Sequence, residues 1–136
     1  MKKFIKVLLL ISSITSYVLA LYAPAFYYDD TESWSGISAL LTGWLGVFFG
    51  YISWLANPLF LASWVCILLK ESTLVISSSA LGCILCLSFL FHKEVVINEA
   101  GGTGIISGMG EGFWLWFASL LLMLIYGLLY RSDNRI

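Results

Sequence analysis

From position 33 to position 69 the chain carries 37 consecutive residues without a charge. A helix that crosses a bilayer upright needs roughly 20 apolar residues, within a range of about 17 to 25. The run is too long for one upright crossing and barely long enough for two. Three other uncharged stretches, 7–28, 72–91 and 112–130, hold 22, 20 and 19 residues. Each fits a single crossing. Of the 136 residues, 60% are hydrophobic and 11% charged. Soluble domains carry about 25% charged residues, and a chain this short has no core large enough to hide so much apolar surface from water. The sequence predicts an all-α membrane protein, a four-helix transmembrane bundle forming one integral membrane domain over 1–136. The spans fall near 5–27, 37–69 (one net crossing), 72–91 and 112–130. The lipid bilayer is the expected partner. A net charge of −1 gives no bulk attraction to nucleic acid.

Charge placement decides the number of crossings. Basic residues gather on the cytoplasmic side of spanning segments. With one net crossing over 37–69, Lys2, Lys3, Lys6, Lys70, Arg131 and Arg135 fall inside and only Lys93 outside. With two crossings hinged at Asn57-Pro58 the split is four against three, which is no bias. One crossing, four spans and two cytoplasmic termini follow. About 20 residues before Lys70 suffice to cross. The remainder, "GISALLTGWLGVFF", is left to lie in the outer interface, to dip in and return, or to extend a tilted helix. Pro58 lacks an amide hydrogen and crowds the carbonyl of Trp54, so the second span is expected to break at Asn57-Pro58. Asn57 or Ser53 is placed to satisfy the freed carbonyl.

The first segment has two readings. A basic start, an apolar stretch and Ala23-Pro24-Ala25 resemble a secretory signal. The long apolar part, running on through Phe26-Tyr27-Tyr28, and the proline in the cleavage site favour a retained anchor. Trp114 and Trp116 open the last span and Tyr126 and Tyr130 close it, as aromatic belts at two interfaces do.

Small residues indicate where helices meet. Gly43, Gly46 and Gly50 in the second segment, and Ser78 and Gly82 in the third, are the expected helix-packing positions, since small side chains let backbones approach closely in lipid. A dimer face is the functional alternative to packing within one bundle. Cys83 and Cys86 form a C-x-x-C and Cys66 is a third thiol. At mid-span these read as small apolar filler rather than redox chemistry.

No Asp, Glu, Lys, Arg or His falls deep in any span on this topology. Ion pumps and proton relays carry such groups, so they are disfavoured. Polar chemistry is left to the outer loops, with Asp29, Asp30, Glu32, Glu99 and Glu111 as candidate outer-face contacts. The second outer loop alternates "EVVIN", "AGGTG" and "IIS", which suggests a short β-hairpin capping the bundle. The glycines at 102, 104, 108, 110 and 112 miss the phosphate-loop order by one residue and read as a flexible connection. No catalytic constellation, metal set or cofactor motif is present, so no enzyme and no cofactor are expected.

The core "GWLGVFFGYISWLANPLFLASW" at 43–64, followed by "GEGFWLWFASLLLMLIYGLL" at 110–129, resembles a set of small bacterial multi-pass membrane proteins. They share a G-W-x-G…W-x-A-N-P…W core, and the likeness covers about half the chain. It implies a bacterial inner (plasma) membrane setting and no particular activity. Three functions follow as expectations: a structural or interaction protein that binds a membrane partner or forms a homo-oligomer; an immunity or envelope-stress protein against a pore-forming toxin; and an oligomeric facilitator of a small neutral solute along the Asn57-Pro58 break.

Overall fold

The computed structural model describes residues 2–133. Arg135, counted above among the inner basic residues, lies outside them. Helix α1 covers Lys2–Tyr22. Strands β1 (Pro24–Tyr28) and β2 (Glu32–Ser35) follow. Helix α2 is Gly36–Thr42 and runs into a 3-10 helix, Gly43–Phe49. A second 3-10 helix, Ile52–Leu55, leads into α3, Ala56–Leu68. Helix α4 (Ser72–Ser88), strands β3 (Glu94–Val96) and β4 (Thr103–Met109), and helix α5 (Glu111–Asp133) complete the chain. Among the described residues, three helical stretches are long and apolar enough to cross a membrane: Lys2–Tyr22, Ser72–Phe91 and Glu111–Ser132.

The burial pattern departs from that of a water-soluble bundle. Ser13, Ser63, Ser79 and Ser119 are at most 1% exposed, whereas Phe4, Leu68 and Ile84 are 70%, 80% and 65% exposed. Soluble proteins bury their large apolar side chains and solvate serine. Here serine tightens the helix contacts: Ser13 donates to the Ser119 carbonyl of α5 at 2.8 Å, and the Ser63 and Ser78 hydroxyls meet at 2.7 Å between α3 and α4. This is how helices associate where lipid replaces water and packing replaces the hydrophobic drive. Helix α1 packs on α5, α5 on α4, and α4 on α3. The shared core holds Phe60, Val75, Leu120 and Met123.

The first expected span is shorter than its uncharged stretch. Helix α1 stops at Tyr22 because Ala23 precedes Pro24, and a residue before proline is driven out of the α region. Residues 24–28 form a strand instead of a continued helix. Pro24 tolerates this as the first residue of its strand, where a missing donor matters least.

The second expected span is not one helix. It is two shorter apolar pieces, Gly36–Phe49 and Ile52–Leu68. The sharp reversal between them is at Gly50, whose φ of 87° closes the first 3-10 helix, with the Tyr51 amide donating to the Gly46 carbonyl. The first piece folds back on the second: the Trp54 indole donates to the Leu40 carbonyl at 2.9 Å. Pro58, by contrast, lies in the first turn of α3, where backbone amides lack an intrahelical acceptor in any case. Asn57-Pro58 therefore marks the junction from 3-10 to α-helix, while the chain turns upstream. The freed Trp54 carbonyl does accept from the Asn57 side chain, at 3.1 Å.

All four strands join in one antiparallel sheet of order β2-β1-β4-β3 at one end of the helices. The expected hairpin is its β3–β4 half, with Val95 opposite Gly104. The β1–β2 half went unforeseen. Its turn places Asp29 and Asp30 at φ 49° and 63°, a left-handed conformation that aspartate tolerates better than most residues. Strand β1 joins the halves, with Phe26 opposite Met109. Helices α1 and α4 end at this sheet and α2 and α5 begin from it.

Candidate functional site

Between the sheet and the helix ends lies a pocket of about 570 Å³. That is a small-molecule volume, since ligand pockets run from about 300 to 1,000 Å³. Its roof is the sheet, where Phe26 stacks on Trp34 at 6.2 Å and meets Phe89 at 5.3 Å. One wall is the folded-back piece, including Ala39, Leu40 and Leu45. The upper ends of α1 and α5 supply Ala20, Phe113 and Trp116.

The floor is polar. The Tyr17 hydroxyl donates to Asn57 Oδ1 at 3.0 Å. Because Asn57 also donates through Nδ2 to the Trp54 carbonyl, its amide orientation is fixed by its partners. One Asn57 amide hydrogen is then left unused. Ser53 lies four residues before Asn57 and also lines the pocket. Ser53 is only 6% exposed, and among the described residues its hydroxyl makes no hydrogen bond. Below the floor the way is shut: Phe60 stacks on Tyr17 with centroids 4.6 Å apart, above the core of Leu120 and Met123.

Among the lining residues only Glu99 is charged; it is exposed at the rim beside Asn98. The Trp116 ring lines the wall, but its Nε1 is buried away from any acceptor and is not presented to the cavity. Close approach builds the pocket's upper margin. A Cβ on Gly36 would collide with the Ala20 carbonyl and one on Gly110 with the Pro24 carbonyl, so α2 sits directly on the end of α1 and the start of α5 directly on β1.

The residues singled out from the sequence divide by position. Asn57 and Pro58 adjoin the pocket floor, with Asn57 in its lining. Gly43 and Gly46 face Trp54 and Tyr51, which lets the two pieces of the second segment close on each other. Gly50 has no neighbour within 4 Å of where a Cβ would stand. It supplies a turn, not a helix contact, because its positive φ suits a residue without a Cβ. The Gly46–Gly50 pair is thus no exposed glycine face. Ser78 bonds Ser63, and Gly82 faces Leu120 of α5. Cys83 and Cys86 are buried in the helix core and Cys66 is half-buried.

The acids do not converge. Asp29 is used internally: its carboxylate accepts the Ile105 amide at 2.9 Å, and its own amide donates to the Ile105 carbonyl at 2.8 Å. Asp30 donates its amide to the Ser107 hydroxyl. Glu32 is exposed on β2, and Glu111 stands in the first turn of α5, where a negative charge complements the helix dipole. No group of three or more His, Cys, Asp or Glu side chains among the described residues is arranged to hold a metal. The glycines read as a flexible connection lie mostly in or beside strand β4.

Tyr17 and Ser53 were the lining residues that sequence reading undervalued. The i, i+4 spacing of Ser53 and Asn57 was the available signal, since it puts both on one helical face. Comparison with family models, curated proteins and solved structures found no match. The fold and the pocket define the class by themselves: a helical protein with three membrane-length apolar helices, capped by a small sheet over a ligand-sized cavity.

Proposed function

We propose that the chain crosses the membrane four times, with the cap sheet on the outer side and both termini in the cytoplasm, and that it binds an apolar small molecule in the pocket under the cap. The pocket itself is the observation that carries this reading: about 570 Å³ bounded by a sheet, two helix ends and a chain reversal. Charge supports the orientation. Lys2, Lys3, Lys6, Lys70 and Arg131 gather at the end away from the sheet, while Lys93 alone of the described basic residues lies near it. The Lys6 ammonium stands 4.9 Å from the Tyr130 ring, so the start of α1 meets the end of α5 there. The resemblance to bacterial inner-membrane proteins gives the setting.

Binding is favoured over the other readings by two details. The glycines that suggested a partner-binding face are spent inside the fold, on Trp54, on Tyr51 and on the turn at Gly50. The contacts among Tyr17, Asn57 and Phe60 close the floor of the pocket within one chain, which favours holding a molecule there. Trp34, Trp54 and Trp116 line the cavity and provide the measurement. With the protein in lipid nanodiscs, a brominated long-chain alcohol should quench tryptophan fluorescence saturably. Ala39→Phe, which fills the wall, should abolish the saturable part and leave only the linear quenching of lipid-facing Trp44 and Trp114. Linear quenching alone in the unmodified protein would remove the proposal.

A further inference from the structure

We infer that the pocket selects a neutral amphiphile and holds it head-inward, with a hydroxyl or carbonyl group on the floor formed by Ser53, Asn57 and Tyr17. This rests on the binding function proposed above and adds the chemistry of the ligand. The decisive group is the Ser53 hydroxyl. Its residue is 6% exposed, it lines the cavity, and no described residue accepts or donates a hydrogen bond to it. The oxygen itself is not sealed off: it opens on the cavity, with its hydrogen-bonding capacity left to whatever occupies that space. Five serines of α3 and α4, Ser63, Ser77, Ser78, Ser79 and Ser88, each bond a carbonyl one turn back. Ser53 does not, and it faces the cavity where a ligand group would complete it.

The neighbouring groups extend the same floor. Asn57, 9% exposed, has one amide hydrogen left after bonding the Trp54 carbonyl. The Tyr17 oxygen, having donated to Asn57, retains acceptor capacity. Together they offer donors and acceptors within one helical turn, which suits a hydroxyl or a carbonyl. They offer no charge. The only charged lining residue is Glu99, at the exposed rim, and it repels anions. A carboxylate or phosphate driven to the floor would lose its hydration with no cation to replace it. The apolar walls of Ala39, Leu40, Leu45 and Phe49 fit a hydrocarbon body. The occupant is therefore a long-chain alcohol or acylglycerol drawn from the membrane, not a fatty acid or a phospholipid head.

Three brominated probes of equal chain length test this in nanodiscs: the alkane, the alcohol and the carboxylate. In the unmodified protein the alcohol should bind about five- to tenfold tighter than the alkane, the usual worth of one or two neutral hydrogen bonds. The carboxylate should bind more weakly than the alcohol at neutral pH and approach it when acidified. Ser53→Ala should bring the affinity for the alcohol close to that for the alkane in the same variant, since only the alcohol engages the hydroxyl. Equal binding of alkane and alcohol, or a Ser53→Ala variant that keeps the preference, overturns head-inward selection while the pocket reading stands. A carboxylate that binds tightest overturns neutrality. Absence of saturable quenching by all three overturns the pocket reading itself.

Discussion

Asp29 shows how one residue can look like a surface ligand and serve as a clip. Its carboxylate and its backbone amide both engage Ile105, which ties the β1–β2 turn to β4 across 76 positions of sequence. Its φ of 49° adds a second demand, for a residue that accepts the left-handed conformation. Asn meets both demands and Ala meets neither. Asp29→Ala should cost about 2 kcal/mol of cap stability, one part from the lost acceptor and one from the backbone. Asp29→Asn should be nearly silent. Hydrogen exchange at the Ile105 amide reads the difference: at least about tenfold faster in the Ala variant, since about 1.4 kcal/mol corresponds to a factor of ten. Similar exchange in the two variants would leave Asp29 as an ordinary surface acid.

At the scale of elements, the fold depends on how closely the cap seats on α1. Gly36 opens α2 against the Ala20 carbonyl, and Gly110 precedes α5 against the Pro24 carbonyl. Backbone carbonyls cannot rotate aside as a side chain can. Gly36→Ala and Gly110→Ala should each lower stability by about 3 kcal/mol, at the upper end of overpacking costs. Gly108, in the same strand as the run leading to Gly110, has nothing within 4 Å of its Cβ position, so Gly108→Ala should be close to neutral. Thermal melts of the three variants in one detergent make the comparison. Equal melting temperatures would mean that the cap rides loosely on the bundle. The same contact explains why residues 36–49 do not extend the second helix: their start is held at the sheet, and Gly50 sends the chain back.

At the scale of the whole molecule, the proposed even number of crossings rests on connectivity. Helices α1 and α4 end at the sheet, α5 starts from it, and α3 runs from the second 3-10 helix to the Lys70 turn. Lys70, at φ 60°, closes α3 with its amide on the Ile67 carbonyl and that of Glu71 on Cys66, so α4 returns antiparallel after three residues. Reporter fusions at the two termini should both give the cytoplasmic signal, and a fusion in the β3–β4 loop the opposite one. Opposite signals from the termini would reverse the placement of the cap. Helix α1 should also remain in the mature protein, because its loss would strip Ser13 from Ser119 and Tyr17 from Asn57; the mass of the purified chain checks this.

Much of this was legible in the residues. Uncharged length selects membrane-crossing helices, since an apolar helix of about 20 residues has one stable environment. The β-branched runs around glycine at 94–107 gave the β3–β4 hairpin through local propensity, and proline chemistry pointed to Asn57 or Ser53 as partner of the Trp54 carbonyl, of which Asn57 is the one that bonds it. Other features had no local signature. Residues 24–35 look like an interfacial loop until β4 offers them a partner, because a strand is stable only when paired. Gly36 and Gly110 look like freedom until α1 lies against the first and β1 against the second. The pocket belongs to five separate segments, and its depth depends on where the chain reverses. Composition and periodicity are properties of one segment and its solvent; strand partners, close approaches and cavities are properties of segments meeting, and only the tertiary structure brings them together.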